Sequence, residues 1–206
     1  FLHYICHWIK NILKCSDGFL SANKIKNCEV KTFFLNACGS FREGVQLVKN
    51  GAIGGVVTRN KVLNQQATQI GSKLAELMIN GMEIEVALRL ATKNSIIKDI
   101  DYFVVGDGTF RLVQSDDQDP GIIHITSNIE NEFHVNHTSS TIRRIGACYQ
   151  SYLDEKNQFR LSGNYFRCKM NKEELINILT NINEPIIFDG TYYWSDDLRI
   201  KLQDWI

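Results

Sequence analysis

Neither charge sign is in excess in this 206-residue chain: 23 lysines and arginines stand against 23 aspartates and glutamates, a formal net charge of zero. A nucleic-acid-binding chain ordinarily carries a basic excess or stripe. The densest basic spot here is Arg143-Arg144, which in a strand-like run reads as a solvated face. No apolar stretch approaches the ~20 residues that a membrane-spanning helix requires, so neither a nucleic acid nor a membrane is expected as a partner. Cys6, Cys15, Cys28, Cys38, Cys148 and Cys168 show no compact framework spacing and no Cys-x-x-Cys pair. That argues against a disulfide scaffold, and the thiols read as reduced in an intracellular, cytoplasmic protein. Gly54-Gly55 lies inside an apolar run rather than at a helix opening, so no phosphate cradle is formed. No internal repeat and no low-complexity tract appears.

What is present is an ordinary globular composition, 44% hydrophobic and 22% charged, enough for one domain with an appendage. The informative stretch is Val30–Ser40, VKTFFLNACGS. Val30, Phe33, Phe34 and Leu35 form a nearly continuous apolar run, the pattern of a strand buried on both faces of a parallel sheet. Small and polar residues around Cys38 end it. Phe41–Lys49 then reads as a helix stopped by Asn50-Gly51, and Ala52–Thr58 as a second buried strand. Strand, turn, helix and strand make a βαβ unit. Cys38 therefore falls at the carboxyl end of a parallel strand, where open α/β sheets place their chemistry. A half-exposed thiol near a helix N-terminus is favoured as thiolate.

In chain order, Phe1–Ile9 reads as a first strand with Leu2, Tyr4 and Cys6 on one face and His3, Ile5 and His7 on the other. Ser16-Asp17-Gly18 is a turn signal, and Ser21 is expected to cap a short helix over Ala22–Asn27. If the first two strands run parallel, His7 and Cys38 become neighbours on one sheet edge. After the polar loop Arg59–Asn64, the positions Leu63, Ala67, Ile70, Leu74, Leu77 and Met78 form the stripe of an amphipathic helix ended by Asn80-Gly81. Glu83–Thr92 reads as a second helix with Ile84, Ala87, Leu88 and Ala91 inward. Tyr102–Val105 reads as a buried strand closed by Gly106-Asp107-Gly108, with Phe110–Val113 continuing the edge.

The acidic, turn-rich stretch Ser115–Gly121 marks a boundary. Strands are expected beyond it at Ile122–Thr126, Glu132–Val135, Ile142–Tyr152, Phe159–Leu161 and Tyr165–Cys168. A helix over Lys172–Leu179 is capped by Asn171. A hairpin follows from Pro185–Phe188 to Thr191–Trp194 through Asp189-Gly190. The reading is an α/β domain over residues 1–114 with a small α+β appendage over 115–206.

The segments LHYICHW, FFLNACGS, GAIGGVVT, GMEIEVALRLAT and YFVVGDGTFRL together resemble the CHAT family of caspase-like cysteine peptidases (clan CD), over roughly Phe1–Val113. That resemblance implies a three-layer α/β sandwich with a mostly parallel sheet, the first two strands of which precede Phe1. It implies a Cys-His dyad, with Cys38 as nucleophile and His7 as the catalytic histidine. Cys38 would attack a peptide carbonyl while His7 handles the proton of the leaving amine. Backbone N–H groups of Cys38 and Trp8 would meet the oxyanion. The expected activity is that of an endopeptidase, an intracellular effector or processing enzyme acting on a protein or peptide substrate under upstream regulatory domains. No metal and no cofactor is called for.

Two departures from the family pattern shape the expectation. Cys6 and Trp8 stand where the family usually has glycines beside the histidine. In the segment Thr58–Asn64, Arg59, Asn60, Lys61 and Asn64 replace a pattern rich in Trp, Pro and a carboxylate; Arg59, Asn60 and Asn64 are the candidate substrate-binding residues, and the change disfavours a basic side chain and tolerates an acidic or polar one. These departures also suit an inactive member that keeps the fold and binds a partner. A metal reading draws on His3, Cys6, His7, Cys15 and Cys28, but His3 and Cys6 fall on opposite faces of a strand. His134 and His137 likewise point apart and are expected to be exposed.

Overall fold

The computed structural model describes residues 1–5, 13–60, 62, 64–93, 101–112, 121–128, 132–139, 148–150, 153, 159–161 and 165–204. They belong to two compact units, Phe1–Gln114 and Ser115–Ile206. Both mix helices with sheets that are partly parallel, so the fold class is mixed α/β. Among the described residues no helix is long and apolar enough to cross a membrane.

The first unit enters on β1 (Leu2–Ile5), makes the hairpin β2 (Leu13–Cys15) and β3 (Gly18–Leu20) around Ser16-Asp17, and reaches β4 (Thr32–Asn36). Helix α1 (Phe41–Lys49) leads to β5 (Gly54–Thr58). Helices α2 (Asn64–Ile79) and α3 (Ile84–Thr92) then precede β6 (Tyr102–Gly106). The sheet order is β1-β4-β5-β6. β1 and β5 both run parallel to β4, while β6 runs antiparallel to β5.

The alternation along β4 separates two cores. Phe33 and Leu35 face α1, where Leu47, Val57 and Val105 join them and Leu2 and Tyr4 pack at the side. Phe34 and Asn36 face α2, whose Gly71 backbone lies against both. Ile70, Leu74, Leu77 and Met78 of the expected stripe are all buried. Each such side chain contributes about 1.5–3 kcal/mol by leaving water.

Several expectations are corrected here. The segment after Ser21 forms only a 3-10 turn over Ala22–Lys24, with no side-chain cap. The Cys28 N–H is instead drawn to the Asn50 carbonyl, and the chain leaves the helical path. β6 is not a fully buried strand: Phe103 is 37% exposed, because the strand has a neighbour on one side only among the described residues. Phe110–Leu112 adds no further strand; Arg111 makes a single bridge to Glu83, reinforced by a 2.7 Å ion pair.

The second unit contains β7 (Gly121–Ser127), β8 (Phe133–Ser139), β9 (Cys148–Gln150), β10 (Phe159–Leu161) and β11 (Tyr165–Met170), followed by α4 (Lys172–Asn181). The hairpin β12 (Pro185–Phe188) and β13 (Thr191–Trp194) and the helix α5 (Ser195–Gln203) complete it. Five strands form a sheet in the order β11-β8-β7-β12-β13, and β9 pairs with β10. Asn171 caps α4 through a reciprocal box with Glu174. Asp189 and Gly190 both take positive φ, 44° and 81°, the conformation that makes Asp-Gly a two-residue hairpin turn. Leu175 and Leu179 of α4 and Leu198 and Leu202 of α5 close the core over Ile123, Ile125, Val135 and Ile186.

Helix α5 was not expected from the sequence, since its polar opening Ser195-Asp196-Asp197 hides a stripe of only two buried leucines. His137 also departs from expectation: it is 2% exposed, its ring lying where a Gly121 side chain would be. Gly121 lies diagonally across on the neighbouring strand, opposite Ser139, and its missing side chain leaves the space. His134 is exposed as expected and lies 3.7 Å from Glu132.

Glu184, at the entry to β12, is 8% exposed. Burial raises its carboxyl from the ordinary 4.5 to about 7, partly offset by the Gly121 N–H. The folded state therefore holds this proton more tightly than the unfolded chain. The stabilisation is complete below about pH 4.5 and is lost as pH rises through about 7, a change of about 3 kcal/mol. Amide-exchange protection of β12 is expected to fall between pH 5 and pH 8 in the wild type. In Glu184→Gln it is expected to stay level, because the amide does not ionise.

Candidate active site

Cys38 lies two residues beyond the end of β4 and three before the start of α1. The turn that carries it reverses direction at Gly39, whose φ of 69° suits glycine. Two buried hydroxyls hold this turn. Ser40 Oγ donates to the Leu35 carbonyl at 2.8 Å and accepts the Thr58 N–H at 3.0 Å. Thr58 Oγ1 in turn donates to the Ala37 carbonyl. The end of β5 is thereby laced to both sides of the Cys38 turn. Ser40 and Thr58 are 4% and 0% exposed, so removing either leaves buried polar groups unsatisfied.

The thiol itself is half-buried. Its sulfur accepts the Val62 backbone N–H at 3.3 Å. Asn36 secures the same region from beneath: its Nδ2 donates to the Ala67 carbonyl in the first turns of α2 at 2.9 Å, and its Oδ1 accepts the Tyr102 hydroxyl at 2.7 Å. Burial, together with the nearby Cys38 charge, pushes the Tyr102 hydroxyl above its ordinary range, so it remains a donor. Tyr102→Phe is expected to cost about 1–2 kcal/mol, since it strands a buried amide oxygen. Urea unfolding followed through exchange of the β4 amides measures that loss.

A cleft of about 630 Å³ opens beside the thiol. His3, Ile5, Asn36 and Cys38 form its sheet side, and Thr68, Gly71, Ser72 and Ala75 its helix side. The His3 ring stacks on Phe34, centroids 4.9 Å apart, and burial lowers its pKa.

Of the sequence-derived site residues, Cys38 is found at the expected sheet edge. His7, Trp8 and Cys6 lie outside the described residues. Arg59 and Asn60 are exposed; the Arg59 N–H bonds the Asp101 carbonyl at 2.9 Å and Asn60 Nδ2 bonds Asp101 Oδ1 at 2.9 Å. Asn64 opens α2, and its side chain is outside the described set. Among the described residues, Arg59 and Asn60 are not part of the cleft lining. Asn36, Thr58, Tyr102 and the cleft-lining Ser72 were not foreseen as site residues, and His3 entered only in the metal reading. A polar Asn36 closing an otherwise apolar run was the one signal available.

No family model matches the chain, and no curated protein matches it.

Proposed function

We propose that the Phe1–Gln114 unit is a caspase-like cysteine endopeptidase that hydrolyses peptide bonds through Cys38 and His7. The observation that carries this reading is the placement of Cys38: a half-buried thiol at the carboxyl end of a central parallel strand, in a braced left-handed turn, at the edge of a cleft. Helices on both faces of a mostly parallel sheet agree with the three-layer arrangement of that class. The strand register adds support. Ile5 stands opposite Asn36; His7 follows Ile5 by two residues, as Cys38 follows Asn36 by two.

In the proposed reaction the Cys38 sulfur bonds to the scissile carbonyl carbon. The oxyanion is met by the backbone N–H groups of Cys38 and Trp8. As the tetrahedral species collapses the C–N bond breaks, and the His7 imidazolium gives its proton to the leaving amine. Water then attacks the thioester, His7 takes its proton, and the acid product leaves with Cys38 restored. The substrate is a protein or peptide, and neither metal nor cofactor takes part.

Iodoacetamide labelling of Cys38 across pH, with and without His7→Ala, tests this. The expected result is rapid labelling at neutral pH that slows at least about tenfold in the variant, as for a thiolate held by a neighbouring imidazolium. Labelling at the rate of an ordinary thiol in both proteins would overturn it in favour of an inactive, partner-binding module.

A further inference from the structure

We infer that Asp101 is a positioning residue for Cys38: it anchors the loop after β5 so that the Val62 backbone N–H stays on the Cys38 sulfur and favours the thiolate. This role deepens the peptidase reading, on which it rests, by naming a residue outside the reacting atoms that tunes the nucleophile.

The loop has two anchors on Asp101. The Arg59 N–H donates to the Asp101 carbonyl at 2.9 Å, one residue beyond the Thr58–Tyr102 pair that ends the β5–β6 ladder. Asn60 Nδ2 donates to Asp101 Oδ1, also at 2.9 Å. Two residues later the Val62 N–H reaches the Cys38 sulfur at 3.3 Å. Among the described residues no other donor meets that sulfur. A thiol is a weak acceptor and a thiolate a strong one, so a backbone N–H on the sulfur stabilises the ionised form. The Val62 carbonyl, which would take the proton of the thiol, stands farther off at 3.9 Å. The cysteine side of this contact is fixed without the loop, because Ser40 and Thr58 brace the Cys38 turn. Whether the N–H meets the sulfur is therefore decided by the loop, and among its described residues the Asn60–Asp101 bond is the one side-chain tie. The Asp101 charge acts in the opposite sense, since an anion disfavours a second anion nearby. A variant that keeps the acceptor but not the charge separates the two effects.

Iodoacetamide labelling of the Cys38 peptide in the full chain provides the test, read as the rate at about pH 6 divided by the rate at about pH 9.5, where an ordinary thiol is mostly ionised. Within one protein, access to the sulfur and the reactivity of its thiolate cancel in that ratio, which leaves ionisation. Asp101→Ala is expected to lower the ratio about tenfold, the effect of one hydrogen bond to a charged group. Asn60 is exposed, so Asn60→Ala repeats the test with little risk to the fold. It is expected to match Asp101→Ala, and the double variant to fall no further, because the two side chains make a single tie. Asp101→Asn keeps an oxygen for Asn60 and is expected to hold at least the wild-type ratio. The described titratable groups around the sulfur are the same in each variant: Tyr102 below it, His3 in the same cleft and Arg59 in the loop. An unchanged ratio in both alanine variants, or one that Asp101→Asn lowers or raises as Asp101→Ala does, overturns the positioning role. His7→Ala decides the peptidase reading separately. A ratio that falls with His7 and stays level in the Asp101 and Asn60 variants keeps that reading without the positioning role; the reverse pattern keeps the positioning role and removes the reading.

Discussion

On the peptidase reading proposed above, Cys38→Ser is expected to lower peptide hydrolysis about 10⁴-fold or more while leaving the fold intact, as loss of a catalytic nucleophile does elsewhere. The two halves of that expectation have separate causes. A hydroxyl ionises far less readily than a thiol, so oxygen in place of sulfur gives a much weaker nucleophile. The fold should not register the change. The turn is held by Ser40, Thr58 and the Leu35 and Ala37 carbonyls, none of which needs the thiol, and a serine oxygen can still accept the Val62 N–H. Single-turnover product formation and thermal unfolding of the same preparation measure both halves. Hydrolysis that survives the substitution would move the nucleophile elsewhere.

The second large effect is on stability. Gly55→Ala is expected to destabilise the first unit by about 4 kcal/mol or more, enough to abolish exchange protection across β4 and β5. A Cβ at Gly55 would stand 2.2 Å from the Phe33 carbonyl oxygen and 2.5 Å from its ring. Phe33 is the in-register partner of Gly55 on the neighbouring strand. That oxygen is backbone, so relief requires separating two central strands rather than rotating a side chain. Because the end of β5 also braces the Cys38 turn through Thr58, the same substitution should remove cleavage activity. A variant that keeps wild-type protection would mean that the β4–β5 register differs from the one described.

Burial on both faces, more than local preference, explains why the centre of the first unit could be read directly. The apolar runs at β4 and β5 and the three-four stripe of α2 announce elements that bury what they carry. Helix α1 spans Phe41–Lys49 as its stop signal at Asn50-Gly51 required. The hairpin at Asp189-Gly190 and the capped start of α4 were equally legible, because a positive-φ pair and an N-cap side chain act within a few residues of chain. Where the sequence misled, a distant partner had decided. Tyr102–Val105 read as a buried strand, yet β6 is an antiparallel strand with one described neighbour, and Phe103 is 37% exposed. His137 looked like a surface residue until Gly121, sixteen residues back, supplied the space that buries it.

The candidate site divides along the same line. Counting residues from Val30 to Lys49 was sufficient to put Cys38 at a strand end before a helix, since strand, turn and helix are local events. The lacing of its turn by Thr58 and the Tyr102–Asn36–Ala67 chain beneath it join residues 18 to 66 positions apart. No periodicity records such pairs; they exist only once the sheet has brought β4, β5 and β6 side by side. Sequence alone therefore determined that Cys38 stands in the turn between a buried strand and a helix. Tertiary packing decided what holds that residue in place, because hydrogen bonds and burial depend on distance in space and not on distance along the chain.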